Sequence, residues 1–338
     1  MRVAEHVLNW AIVGTGDVSR FIASDLAQVE GVRRNAVHSR DGARAKAFCE
    51  EFGFDRAFVQ LDDLLGDPDV DVVYVATPHA THAAIAVRAL EAGKHVLIEK
   101  PLAVDAVEGE RIAAAARATD RFAMEAMWMK FNRVYGAMLA DVRRNAIGET
   151  RSVRASFGLP FGRANSTRWS ADRSSSTLLD QGVYPVTLAL DVLGAPDRIS
   201  ADGTVRPDGV DVGIHVTFDY ADGRFAQLGA SMTEYVEPTA SVSGSDGWIT
   251  IAAPFWASTS YETRRGPIAR ALFEPNRTEH ERRGFGYVPM LESVNEAILD
   301  GHRQHPLHPL TSSIAALQLL QTIKQTMTAD NSETREIR

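Results

Sequence analysis

The sequence has very little cysteine: Cys49 is the only one among 338 residues. A single cysteine excludes an internal disulfide framework and a thiolate metal cluster, and it fits a reducing compartment. The sequence also lacks an apolar run of about 18 residues, which a membrane-spanning helix requires. Because no apolar leader follows Met1, we expect a cytoplasmic protein with no membrane partner.

An excess of positive charge is also absent. The formal net charge is -8, which argues against nucleic acid as a partner, since that binding relies on basic patches. The composition, 45% hydrophobic and 24% charged, is that of an ordinary globular protein. A chain of 338 residues is too long for one compact core, so we expect two domains.

The first part of the chain alternates between strand and helix patterns. Apolar segments typical of strands occupy residues 10–13, 35–38, 70–76, 95–98 and 122–125, with helical spacing over 18–29, 43–52, 81–92 and 104–118. Strands separated by helices in this way predict right-handed crossovers and a parallel sheet. We therefore predict a doubly wound, Rossmann-type α/β domain over residues 1–126.

The pattern changes after residue 126. Alternation with a period of two from 198 to 263 predicts a large, mostly antiparallel sheet. Helices are predicted at 132–145, 178–193, 288–300 and 311–328, with a strand at 150–157 and an arginine-rich loop at 162–176. We assign residues 127–330 to an α+β domain that binds substrate and forms dimer contacts, and 331–338 to a tail. Whether the helix at 311–328 packs back on the first domain is left open.

A glycine turn, Gly14-Thr15-Gly16-Asp17-Val18-Ser19, follows the first strand and opens the first helix. Gly14 would allow the tight turn, and Gly16 would let backbone amides approach a pyrophosphate at the helix N-terminus. Ser19 replaces the usual third glycine or alanine but is small. We predict a dinucleotide site that includes residues 14–18; the alternative is an ordinary glycine turn.

The end of the second strand bears on the choice of cofactor. Enzymes that use NAD place an acidic residue there to hold the ribose 2′-hydroxyl. This chain has Ser39 and Arg40, with Arg44 one helical turn later, and a hydroxyl with two guanidiniums suits a 2′-phosphate better. We predict NADP, with NAD possible; Asp41 would cap the next helix, and a solvated arginine pair is the alternative.

Two further strand ends carry polar residues. Lys100 lies just beyond the carboxyl end of the strand at 95–98 and precedes Pro101. Open α/β sheets bind ligands at such carboxyl ends. We expect Lys100 to face the nicotinamide and Glu99 to brace the strand end or a bound ribose. The second of these strand ends is that of the strand at 70–76. It leads into residues that we expect to line the nucleotide cleft: Thr77, Pro78, His79 and His82. The two histidines lack a third ligand at useful spacing, so we predict no metal site.

The segment Glu99-Lys100-Pro101 resembles the signature of the glucose–fructose oxidoreductase, inositol dehydrogenase and rhizopine-catabolism (Gfo/Idh/MocA) family. Residues 77–82 and 179–185 also resemble family segments, and the resemblance extends over residues 9–328. It is greatest to the branch with dimeric dihydrodiol dehydrogenase and NADP-linked xylose dehydrogenase. The features that point there are residues 124–131, the Arg40/Arg44 pair, and Tyr184 where many members have histidine.

The resemblance implies an NAD(P)-dependent dehydrogenase that transfers hydride between a nicotinamide and a secondary alcohol or hemiacetal of a sugar, polyol or vicinal diol. It implies Lys100 and Tyr184 as the polar pair beside the reacting carbinol. A tyrosine hydroxyl, with an ordinary pKa of about 10, loses its proton more easily near an ammonium group. On a helix, Asp180 would share a face with Tyr184, and as a third catalytic residue it would orient a neighbouring group or tune the lysine. Pro185 also permits Asp180 as a helix cap.

The substrate pocket is less well defined by the sequence. Trp128, Arg168 and Trp169 are candidates for an apolar wall with a cation, although core packing is an equal alternative for both tryptophans. Family members usually carry a glycine run where this chain has Arg173-Ser174-Ser175-Ser176-Thr177. We expect side chains there to narrow or polarise the pocket.

Two other functions stay open. One is a non-catalytic regulator or scaffold that binds NADP(H); the other is a glycoside-modifying enzyme with tightly held cofactor. An open face of the second sheet also predicts a homodimer or higher homo-oligomer.

Overall fold

The computed structural model describes residues 7–162, 169–171 and 176–333, with side chains up to residue 328. The chain divides into two compact units, residues 1–131 with 282–315 and residues 132–281 with 316–338. This division differs from a single boundary after residue 126. Residues 282–315 join the first unit through contacts that the sequence does not reveal: the Ala123 amide donates to the Arg303 carbonyl at 3.2 Å, and the Trp10 indole donates to Asn295 at 3.3 Å.

The helices follow the predicted spacing, with short additions. They are α1 (Asp17–Leu26), α2 (Gly42–Phe52), α3 (Leu61–Leu65), α4 (His82–Glu91), α5 (Ala106–Thr119), α6 (Arg133–Arg143), α7 (Val183–Leu193), α8 (Ile268–Phe273), α9 (Val288–Leu299) and α10 (Leu310–Glu333). Short 3-10 turns cover His79–Thr81, Trp128–Phe131 and Phe255–Ala257, and a π-helical turn covers Leu178–Gly182.

The first unit contains a six-stranded parallel sheet. Its strands are β1 (Leu8–Val13), β2 (Val32–His38), β3 (Arg56–Phe58), β4 (Val72–Val75), β5 (His95–Glu99) and β6 (Ala123–Ala126). They lie in the order β3-β2-β1-β4-β5-β6, so the direction of winding reverses between β1 and β4. In open α/β sheets, ligands bind at the carboxyl ends of the strands at this switch point.

The second unit contains an eight-stranded sheet. Its strands are β7 (Thr150–Gly158), β8 (Arg198–Val205), β9 (Asp211–Asp219), β10 (Phe225–Ser231), β11 (Ala240–Gly244), β12 (Gly247–Ile251), β13 (Ser260–Arg265) and β14 (Asn276–Glu279). The order is β14-β13-β12-β11-β7-β10-β9-β8, and β7 with β10 forms a parallel pair among antiparallel neighbours.

The two faces of this sheet differ in polarity. A buried apolar row crosses five strands and consists of Val216, Leu228, Ala155, Ala240 and Ile251. The adjacent row, on the opposite face, is polar and less buried: Thr217, Gln227, Arg154, Ser241 and Thr250. Because side chains alternate across a strand, one face is covered and the other is hydrophilic.

The predicted fold class is confirmed: a Rossmann-type parallel sheet and a second, mostly antiparallel sheet. The short elements β3, α3, α8 and β14 were not predicted individually, since three to six residues hold too little periodic pattern. Within the described part of the chain, no helix is long and apolar enough to cross a membrane.

Candidate active site

The glycine turn lies at the switch point of the first sheet. Gly14 has a φ of +108°, and a Cβ there would lie 2.3 Å from the Ala76 carbonyl oxygen. Only glycine fits this approach of the two turns that follow β1 and β4. Gly16 precedes α1 without a side-chain cap, and a Cβ on it would meet open space. The first amides of α1 are therefore available to an anion.

The other residues of this turn differ in their exposure. Asp17 is the exposed first residue of α1 and Val18 is half-buried. Ser19 is fully buried, as close packing of the helix on the sheet requires, and its hydroxyl has no hydrogen-bond partner among the described residues. The Thr15 hydroxyl lies 3.5 Å from that of Ser39, so the β1 and β2 ends meet here.

Two exposed guanidiniums follow β2: Arg40 lies just after the strand, and Arg44 lies in the first turn of α2. Asp41 caps α2: its carboxylate accepts hydrogen bonds from the amides of Ala43 at 3.0 Å and Arg44 at 3.1 Å. Asp41 is thereby occupied by the helix start, and no carboxylate of the described chain forms an ion pair with either arginine. This edge of the sheet is cationic.

His82 joins the two neighbouring strand ends. It is fully buried; Nδ1 lies 2.9 Å from the Pro101 carbonyl oxygen and Nε2 lies 2.8 Å from that of Thr77. Burial lowers the pKa of His82, while the two carbonyls oppose that shift. His79 lies beside it, with ring centroids 5.6 Å apart. Because both ring nitrogens of His82 face carbonyls, its contacts are those of a residue that holds these turns.

Glu99 braces the end of β5. Its carboxylate accepts a hydrogen bond from the hydroxyl of the buried Tyr74 and another from the Lys100 amide at 3.0 Å. Only 6% of Glu99 is exposed, and burial raises its pKa to about 7 despite the nearby Lys100. Lys100 itself is half-buried. These contacts correspond to the predicted bracing role of Glu99.

A buried acid that sequence reasoning missed lies beside them. Glu125, on β6, accepts from the Leu102 amide at 2.8 Å and lies 2.8 Å from Nε2 of His308. The contact with His308 lowers the pKa of Glu125 although burial opposes it. Glu99, His82 and Glu125 thus each bind one backbone group of residues 100–102. Their spacing in the sequence gave no signal, because the chain brings them together only through the sheet.

Trp128 packs within the first unit. Its ring lies 4.8 Å from that of Tyr287, and a Cβ on Gly286 would lie 2.8 Å from a carbon of the Trp128 ring. The Asp25 carboxylate fixes this loop by accepting from the amides of Phe285 and Tyr287, both at 2.9 Å. Trp128 is therefore largely buried, with only 7% of it exposed, and its place in a substrate pocket stays a prediction.

In the second unit, Tyr184 lies at the start of α7, just after the π-helical turn. Its ring packs against those of Phe157 at 5.7 Å and Trp256 at 5.6 Å. The widened turn precedes Pro185, whose nitrogen cannot donate to the helix, and such turns are frequent at functional sites. Asp180 lies inside this turn and is half-buried. It therefore does not stand at a helix N-cap, the alternative position that Pro185 had permitted.

The remaining pocket candidates are less informative. Trp169 packs on the buried cluster Val210, Val212 and Met232, and its carbonyl accepts from Arg206 at 3.0 Å. Arg168 lies outside the described residues, as do residues 172–175. Among the described side chains, no group of three or more histidines, cysteines or acids is arranged to bind a metal ion.

A doubly wound sheet with a close glycine turn at its switch point and an uncapped helix N-terminus beside it defines a dinucleotide-binding architecture. At Gly14 a Cβ would collide with the Ala76 carbonyl, and at Gly16 it would meet no atom within 4 Å. The open space at Gly16, beside the first amides of α1, fits the pyrophosphate of such a cofactor.

Comparisons with known proteins agree with this class. Residues 8–127 match the NAD-binding Rossmann domain of the Gfo/Idh/MocA oxidoreductase family, and residues 137–250 match its C-terminal domain. Trans-1,2-dihydrobenzene-1,2-diol dehydrogenase of Bos taurus is 31% identical over 327 residues, which cover 94% of this chain and 96% of that protein.

Two solved structures share the whole architecture. A 3-ketoreductase from Actinomadura kijaniata, in complex with NADP and TDP-benzene, is 27% identical with a TM-score of 0.83, covering 95% of this chain and 98% of the other. A levoglucosan dehydrogenase in complex with NADH and levoglucosan has a TM-score of 0.86, with coverages of 95% and 97%. At 19% identity, this second likeness shows the fold alone.

The chain belongs to the Gfo/Idh/MocA oxidoreductase family, and the predicted family is confirmed. It is an NAD(P)-dependent oxidoreductase.

Proposed function

We propose that the protein is an NADP-preferring dehydrogenase that oxidises a secondary alcohol or hemiacetal of a sugar, polyol or vicinal diol, or reduces the corresponding carbonyl. The observation that carries the proposal is the arrangement at the first sheet's carboxyl edge: a glycine cradle at Gly14 and a lysine held by buried polar groups at Lys100. The names of the relatives, a diol dehydrogenase and a 3-ketoreductase, support this substrate class.

The preference for NADP rests on the β2 end. Arg40 and Arg44 are exposed, and Asp41, the one acid nearby in sequence, is occupied as a helix cap. The Ser39 hydroxyl lies 3.3 Å from the Asp41 amide and 3.5 Å from Thr15. We propose that Ser39, Arg40 and Arg44 bind the 2′-phosphate, because guanidiniums bind phosphate through charge-assisted hydrogen bonds.

A nicotinamide cofactor held at the Gly14 turn would supply the acceptor for the hydride that leaves the substrate's carbinol carbon. The hydroxyl proton of the substrate must leave as the C=O bond forms, and we assign its removal to Lys100 and Tyr184, the two family-type polar residues. Lys100 lies in a turn fixed by Glu99, His82 and Glu125, which limits its mobility. Fixed placement of an acid–base group contributes about 100- to 10,000-fold to such reactions.

The test is a titration of cofactor fluorescence, NADPH against NADH, followed by turnover on a panel of aldoses, polyols and vicinal diols. We expect tighter binding of NADPH and turnover of at least one class. Binding of NADPH without turnover on any panel member would favour a sensor that binds the cofactor without chemistry. Failure to bind either cofactor would overturn the nucleotide assignment.

Homo-oligomerisation through the second sheet stays a prediction. The outer face of that sheet is hydrophilic, with the Arg154 Nε donating to Gln227 at 3.0 Å. Sedimentation velocity tests it: a dimer agrees with the prediction, and a monomer at micromolar concentration contradicts it.

A further inference from the structure

Residues 176 and 177, the described part of the segment 173–177, hold the start of the helix that bears Tyr184. Ser176 is 3% exposed. Its hydroxyl donates to Oδ1 of Asp211 at 2.7 Å and accepts from the Leu179 amide at 3.1 Å. The Ser176 hydroxyl is therefore directed to Asp211, although the sequence had suggested a pocket narrowed or polarised by this segment.

Asp211, the first residue of β9, is fully buried. Its Oδ2 accepts from the Leu178 amide at 2.7 Å, and Nζ of Lys324 lies 3.8 Å from Oδ1. A buried carboxylate is costly unless donors surround it. Here a hydroxyl, an amide and an ammonium do so, and the first two come from the helix start itself.

The helix start needs this external support. Thr177 stands at the N-cap of the π-helical turn Leu178–Gly182 but makes no side-chain cap hydrogen bond. The first amides of a helix have no partner within it. Asp211 and Ser176 bind those of Leu178 and Leu179, and a glycine at position 176 would lack the hydroxyl for both of its contacts.

We propose that Ser176 and Asp211 are positioning residues that fix the turn carrying Asp180 and leading into Tyr184, and thereby set the orientation of Tyr184 for catalysis. The proposal rests on the proposed function, in which Tyr184 takes part in proton transfer.

The experiment compares S176A and S176G with a matched control, S245A. Ser245 makes the same two kinds of contact, donating to Asp246 at 2.8 Å and accepting from the Glu149 amide at 3.1 Å, in an exposed turn. For both Ser176 variants we expect kcat to fall about 10- to 100-fold, since a small misplacement costs that much. NADPH affinity should stay within about twofold and the kcat–pH profile should shift, because the acid–base group is displaced.

Amide hydrogen exchange of residues 178–182 provides a readout independent of turnover. We expect exchange in S176A to rise about tenfold there, as local opening becomes easier, and to stay unchanged in S245A. Unchanged exchange in S176A would overturn the contact's role, as would a kcat and pH profile equal to those of the wild type. Equal losses of kcat in S176A and S245A would also overturn it, since they would indicate general destabilisation. Lack of turnover by the wild type would instead contradict the proposed function.

Discussion

The two proposed acid–base residues are held in place by different physical means. In the first unit, Glu99, His82 and Glu125, all buried and ionisable, bind the backbone around Lys100. In the second unit, Tyr184 packs against two aromatic rings that stack on each other, on a helix whose start is bound by Ser176 and Asp211. We infer that the Lys100 turn responds to pH, whereas the surroundings of Tyr184 respond mainly to changes in packing.

The largest effect is expected from G14A. A Cβ at 2.3 Å from the Ala76 carbonyl, at a φ of +108°, forces the β1 and β4 turns apart. We expect loss of measurable NADPH binding and a fall in the free energy of unfolding of about 2 kcal/mol or more. Fluorescence titration and chemical denaturation measure both. Normal NADPH affinity in a folded G14A protein would contradict the cradle assignment.

Substitution of Lys100 or Tyr184 tests whether the two residues, which are held by different means, both take part in catalysis. For K100A and Y184F we expect kcat to fall about 100- to 10,000-fold, as loss of general acid–base catalysis does, with the melting temperature little changed for Y184F. Steady-state kinetics under saturating NADP measures the effect. Retention of the full wild-type rate in K100A would exclude the proposed mechanism.

The arginine pair is expected to affect only the choice between NADP and NAD. Each charge-assisted hydrogen bond contributes about 1.5–3 kcal/mol, so we expect R40A to weaken NADPH binding about 10- to 100-fold and leave NADH binding unchanged. R33A is the matched control, since Arg33 is an exposed arginine of β2 that pairs with Asp55. A parallel loss of NADH affinity in R40A would refute the 2′-phosphate role.

Glu99 should make stability depend on pH. Its pKa is raised to about 7 from 4.5, so the folded state binds the proton more tightly than the unfolded state. The stabilising effect is present below pH 4.5 and is lost as the pH rises through 7, by up to about 3 kcal/mol. Denaturation of E99Q and wild type across this range isolates the residue: the difference should grow in favour of E99Q as the pH rises, and a constant difference would argue against it.

The smallest effect concerns the aromatic packing in the second unit. Phe157 stacks on Trp256 with centroids 3.6 Å apart, and loss of an aromatic pair costs about 0.5–1.5 kcal/mol. We expect F157L to lower the free energy of unfolding by this amount at every pH. If the loss of unfolding free energy in F157L depended on pH, the surroundings of Tyr184 would not differ from the Lys100 turn in their response to pH.

The sequence predicted much of the first unit and less of the second. The alternation of strands and helices, the Gly14 turn and the position of Lys100 at a strand end are local patterns, so they could be predicted without coordinates. The partners of Glu125 and Asp25 lie more than 180 residues away in the chain, at His308 and Phe285. Asp211 and Ser176 are closer in the chain, 35 residues apart. Their contact still depends on how β9 approaches the helix start, which no spacing reveals.

NADP-dependent turnover of the sugar, polyol and diol panel, measured with wild type and K100A side by side, is the most direct test of the proposed mechanism. We predict formation of reduced cofactor by the wild type with at least one substrate class, faster with NADP than with NAD, and its loss in K100A while NADPH binding persists. Binding of NADPH with no turnover on any substrate, or equal turnover by both proteins, would contradict it.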